Sequence, residues 1–173
     1  MGRDELRGAD PPMFAGNQQE LEGWITACRL GFTNQPSKFH SESKKITWAA
    51  SFLSGPPLSW LQPSINRLLM GGELSASELE TFETFIQALR DLYGDPNLER
   101  NAMAALRNLH QITSVVEYHS RFVSHSQYTK LNDVGLAEYF YHALKEDIKY
   151  RLAEQEGWAS LKDLQQKATR IDS

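Results

Sequence analysis

The sequence predicts an all-α chain of about nine helices, gathered into two small helical bundles. Three observations predict it. Apolar residues recur at steps of three and four along nearly the whole chain, the pattern of a helix with one buried face. No segment sustains the period-two alternation of a half-buried strand, and no Asn-Gly hairpin signal occurs. Glycines, prolines and capping residues cut the pattern into pieces of ordinary helix length.

Residues 1–13 are polar, carry Pro11 and Pro12, and read as a flexible lead-in. The first helix places Leu21, Trp24, Ile25, Cys28 and Phe32 on one stripe; Gly31 falls near its expected end and Pro36 bars continuation. Ser41 caps the second, with Glu42 in the first turn where the helix dipole favours a carboxylate. Its stripe is Ile46, Ala49, Ala50 and Leu53, and Gly55-Pro56-Pro57 stops it. The third stripe is Leu58, Leu61, Ile65, Leu68 and Leu69; Pro63 inside it predicts a kink or a start nearer Ser64, and Gly71-Gly72 ends it. Ser77 and Glu80 have capping-box spacing before a fourth stripe of Phe82, Phe85, Ile86, Leu89 and Tyr93, closed by Gly94.

Asp95-Pro96 reads as the boundary between bundles, with Asp as cap and Pro as first helical residue. The expected division is therefore a lead-in over 1–13, one lobe over 14–94 and a second over 95–173. The second lobe begins with Leu98, Ala102, Ala105, Leu106 and Leu109. Ser114 and Glu117 form a second capping box ahead of Val115, Tyr118 and Phe122. Asp133 opens a helix with Leu136, Tyr139, Phe140, Ala143 and Leu144, and a short piece carries Ile148 and Leu152. After Gly157, Ser160 caps a last helix with Leu161, Leu164, Ala168 and Ile171 inward. No heptad repeat persists and no short tandem repeat is present.

Composition narrows the function. Of 173 residues 40% are hydrophobic and 23% charged, which is ordinary globular usage. Up to Gly94 there are eight Lys+Arg against eleven Asp+Glu, and after it ten against eleven, so neither part has the basic footprint of a nucleic-acid binder. No apolar run is long enough to span a bilayer, the start MGRDELRGAD is too polar for a signal peptide, and Leu6 departs from the myristoylation pattern. A cytoplasmic location is expected.

Reactive chemistry is not expected either. Cys28 lies on an apolar stripe, where a thiol packs rather than reacts. His110, His119 and His125 lack the three- or four-residue spacing that places two ligands on one helix face, so no metal and no cofactor is expected. No G-x-S-x-G, G-x-x-x-x-G-K or G-x-G-x-x-G occurs. Of the four tryptophans, Trp24 lies on a core stripe and Trp60 follows a helix start, and no basic cluster surrounds either, which favours packing over base stacking.

The order of signals resembles the capsid region of Gag proteins from gypsy-class long-terminal-repeat retrotransposons. The first half supplies Phe14-x-Gly16, Leu21-x-x-Trp24, Leu53-x-Gly55-x-x-Leu58-x-Trp60, Phe82-x-x-Phe85 and Leu92-Tyr93-Gly94-Asp95. The second supplies Ala105-Leu106-x-x-Leu109-x-Gln111, Ser114-Val115-x-Glu117-Tyr118-x-x-x-Phe122 and Phe140-x-x-Ala143-Leu144. Ala143-Leu144 stands where the family usually has Gly-Leu. The segment Gln111 to Phe122 is also similar to the major homology region of retroviral capsids, although Ile112 and Thr113 break the Gln-x-Gly of that region.

The resemblance implies a structural capsid protein, not an enzyme. Its partner is then itself, as N-lobe rings of six or five and C-lobe dimer contacts that close a virus-like shell around RNA. The RNA is held by a separate nucleocapsid part, and neither a C-x-x-C zinc knuckle nor an Asp-Ser/Thr-Gly protease signature occurs in this chain. The alternative is a domesticated Gag-derived module, as in the neuronal Arc protein, which binds short peptides in an N-lobe groove without forming shells. An unrelated helical adaptor is the reading from another class. Trp48, Leu74, Leu131 and Trp158 lie off the core stripes and are the expected interaction surface.

Overall fold

The computed structural model describes residues 8–70 and 79–173. Among these residues it is all α-helical, with nine α-helices and a single isolated bridge. Leu74, Ser77 and Gly71-Gly72 lie outside the described residues. Contacts divide the chain into two compact units, the first ending at Pro96 and the second running Asn97–Ser173.

In the first unit, α1 (Leu21–Asn34) follows a 3-10 turn capped by Asn17. It buries Leu21, Trp24, Ile25 and Cys28, as their spacing predicts. Gly31 does not end it. An added Cβ there would sit 2.3 Å from the Trp48 ring, so the glycine is the gap that admits the indole. Helix α2 (Glu42–Ala50) is capped by Ser41, whose hydroxyl accepts from the Lys44 N–H. Leu53 lies beyond that helix. It pairs with Phe14 in the isolated bridge, where the Phe14 N–H donates to Phe52 and the Ser54 N–H to Phe14.

Gly55-Pro56-Pro57 opens α3 (Gly55–Leu69) rather than merely stopping α2. Prolines are tolerated in a first turn because its N–H groups have no acceptor within the helix. Pro63 sits inside the continuous helix, so the start near Ser64 is not taken. Helix α4 (Phe82–Tyr93) is capped at Thr81, in a reciprocal box with Thr84, and not at the expected Ser77. The Glu42 carboxylate also accepts from the Phe82 N–H at 2.9 Å, serving the start of α4 as well as of its own helix.

In the second unit, α5 (Leu98–Asn108) begins two residues later than Asp95-Pro96 predicts, with Asn97 at the cap position. Helices α6 (Val115–Ser126), α7 (Asp133–His142), α8 (Glu146–Ala153) and α9 (Leu161–Asp172) complete the bundle. Caps at Ser114, Asn132 and Ser160 each accept a backbone N–H three residues on. The core gathers Leu106, Val115, Tyr118, Phe122, Phe140, Leu144, Ile148, Leu164 and Ala168.

Candidate interaction surfaces

Residues of the first-unit motifs converge on one core. The Phe14 ring meets Trp24 at 5.7 Å and Tyr93 at 6.1 Å, both between ring centroids. Gly16 has φ +104, and the Tyr93 ring lies 3.5 Å from where its Cβ would be. Gly55 has φ +60 at the start of α3, a backbone that disfavours any residue with a Cβ. Phe82 and Phe85 are buried, and Trp60 is half-buried against the same core. The Trp24 Nε1 is buried without a hydrogen-bond partner among the described residues.

In the second unit the motif from Gln111 to Phe122 divides into two jobs. Gln111 is 6% exposed. Its N–H donates to Ala143, its Nε2 donates to Thr113, and its Oε1 accepts from the Lys145 N–H at 3.0 Å. One side chain thus joins the loop before α6 to the loop before α8. Ser114 caps α6, but Glu117 does not return the bond; its carboxylate is engaged by Thr113 Oγ1 and by Arg121. The first N–H of α6, that of Val115, is met instead by Asp172 at 2.8 Å from the far end of the chain. Tyr118 and Phe122 point into the core around Phe140, and the Tyr118 hydroxyl donates to the Phe140 carbonyl at 3.0 Å. Burial pushes the Tyr118 phenol above its ordinary range.

Of the groups that could suggest chemistry, Cys28 and His119 are placed against apolar neighbours. Cys28 is buried, and desolvation pushes its thiol up to about 12. His119 lies edge-on to Phe140, while His110 lines a different groove. Among the described residues no group of three or more His, Cys, Asp or Glu could hold a metal ion. Nor is any helix among them long and apolar enough to cross a membrane.

The expected surface positions are less exposed than their place off the core stripes predicts. Trp48 is half-buried among Phe32, Phe39 and Phe52, with ring centroids at 5.6, 5.1 and 5.0 Å. Leu131 and Trp158 pack against the second core, Trp158 stacking on Tyr141 at 5.0 Å. The reason is that Leu131 and Trp158 sit outside helices, and Trp48 meets a ring of α1 as well as rings flanking its own helix, none of which a helical wheel can represent. Exposed apolar side chains lie elsewhere: Leu30, Leu69 and Leu92 in the first unit, Val116, Val134 and Tyr150 in the second.

Two open grooves carry the remaining interest. One, about 590 Å³, runs beside Trp48 and is lined by Lys38, Phe39, Lys44 and Thr47 among others. The other, about 280 Å³, lies between α5 and α7 and is lined by Leu106, Leu109, His110, Glu138, Tyr139 and His142 among others. Sequence reasoning missed Asp172, and it missed the roles of Glu42 at the start of α4 and of Gly31 against Trp48. The first two act across 57 and 40 residues of chain, and only proximity reveals such pairs.

The described residues thus form two compact all-helical units, each with capped helices and some exposed apolar side chains. Comparison with known families gives the particular relationship. Residues 102–173 match the family model described as PEG10/RTL1, C-terminal capsid-like domain. That segment of the second unit is similar to this capsid-like domain, and the match fits the resemblance of the sequence to Gag capsids.

Proposed function

We propose that this chain is the capsid portion of a Gag-type protein and packs against copies of itself into a closed shell. The observation that carries the reading is the capsid-like match over residues 102–173. Two features support it. Apolar side chains such as Leu30, Leu92 and Val134 stay exposed on both units, where a partner copy can cover them. Net charge is only -4, so copies repel weakly at close approach. RNA would be held by a separate basic part, and the site of action would be the cytoplasm and the particles formed there.

Concentration-dependent light scattering and electron microscopy at raised salt test this. Mass rising with concentration, with particles or tubes once salt screens repulsion, is the expected result. A monodisperse species under every condition overturns it. The groove at Trp48 favours a second reading, a module that holds short peptides without building shells. Quenching of Trp48 emission by a peptide, in a chain that stays monodisperse, would select that reading.

A further inference from the structure

A third groove, of about 500 Å³, lies between α6 and α9. From α9 it is lined by Lys162, Gln165, Gln166, Thr169 and Arg170, which fall at steps of three and four and so form one helical face. From α6 it is lined by Val116 and His119. Val116 is 62% exposed, and Val123, seven residues on, is 47% exposed. Together they make a second apolar stripe on α6, apart from the core stripe of Val115, Tyr118 and Phe122.

Two further facts point to a ligand. Gln165 is only 9% exposed, and its side-chain amide makes no hydrogen bond among the described residues but is not sealed from solvent. It has two donors and an acceptor to offer a ligand in the groove. Lys162 and Arg170 are exposed and neither is in an ion pair among the described residues. No carboxylate lines the groove. The acids nearest in sequence are engaged elsewhere: Asp163 with Ala159 and Lys167, Glu117 with Arg121, Asp172 with Val115.

We propose that the α6–α9 groove docks an acidic protein segment anchored by apolar side chains. Carboxylates of the segment pair with Lys162 and Arg170. Its apolar residues cover Val116 and Val123, and one of its polar groups completes Gln165. Charge complementarity selects the occupant: two exposed cations, with no carboxylate lining the groove, flank an apolar strip, the reverse of an acidic amphipathic segment. A nucleic acid fits less well, because the one ring among the lining residues is the His119 imidazole, which offers a base little to stack on.

The test is anisotropy of a fluorescein-labelled amphipathic Glu/Leu peptide titrated with the full chain. Binding with Kd of about 10–100 μM is expected, and about tenfold weaker binding for the double variant K162E/R170E or for a Lys/Leu peptide. Gln165→Leu should weaken the peptide while leaving Tm unchanged or higher, because the amide it removes makes no hydrogen bond within the fold. A fall in Tm would mean that Gln165 serves the fold alone and would overturn its place in the site. Absence of binding up to about 1 mM, or binding indifferent to K162E/R170E, overturns the proposal. It is equally overturned if K162E/R170E changes the scattering mass of the free chain, which gives the face to a second copy, or if oligouridine displaces the peptide.

Discussion

In the first unit Phe14 is carried onto the Leu53 segment by backbone bonds, and its ring meets Trp24 and Tyr93. In the second, the loops are tied by side chains, Gln111 to the turn before α8 and Asp172 to the start of α6. Among the described residues both buried polar side chains, Gln111 and Gln165, lie in the second unit. The first unit places its polar links nearer to water, as in the Arg90–Glu22 pair at 2.8 Å between α4 and α1. A core of rings tolerates a change of shape when volume is kept. A buried polar link does not, because removing one partner strands the other without water.

The largest effects should not tell the units apart. Phe85→Ala in the first and Phe122→Ala in the second should each cost about 3–5 kcal/mol in denaturant unfolding. A loss below about 1 kcal/mol at either site would mean that the ring is not in the core described. Substitutions of similar volume should separate them. Gln111→Leu strands the Lys145 N–H and should cost about 1–3 kcal/mol. Ile86→Leu, buried in the first unit, should cost less than about 1.5 kcal/mol. Equal losses would break the contrast.

A smaller effect probes how the first unit seats its indole. Gly31→Ala gains about 1 kcal/mol of helix propensity but drives a methyl into the Trp48 ring, at a cost of about 1–3 kcal/mol. A net loss of about 1 kcal/mol with a shift in Trp48 emission is expected, and Trp48→Leu in the same chain should relieve it.

The smallest effects are in pH. Bonds from the Ala159 N–H and from Lys167 hold the Asp163 carboxyl below its ordinary range. A depressed carboxyl contributes stability above its unfolded pKa and loses it as pH falls through the folded value. Asp163→Asn should therefore flatten the acid limb of the second unit's stability curve. Cys28 acts at the other end, in the first unit. Its folded thiol ionises near 12 against 9.0 in solvent, so its contribution is complete below pH 9 and lost as pH rises from there to about 12. Cys28→Ala should flatten that limb in unfolding measured across alkaline pH.

Much of the fold was legible because its causes are local. Stripes at steps of three and four, and caps such as Ser41, Ser114 and Ser160, act within a few residues of themselves, so spacing alone exposes them. Where sequence and structure part, the cause lies at a distance. Gly31 looks like a helix end until the Trp48 ring is seen against it. Gly55-Pro56-Pro57 looks like a stop, yet a first turn accepts proline just as a stop does. Gln165 lies beside the core stripe of its helix, but no spacing rule says that its amide lacks a partner.

By itself, then, the sequence determined the helical class, the stripes that fill each core and the absence of a basic footprint, because periodicity and charge are sums over neighbours in the chain. Only the tertiary structure decided which surfaces remain open: the half-buried Trp48, the clamp at Gln111 and the exposed cations beside Gln165. Exposure depends on what other segments cover, and that coverage follows from contacts dozens of residues apart.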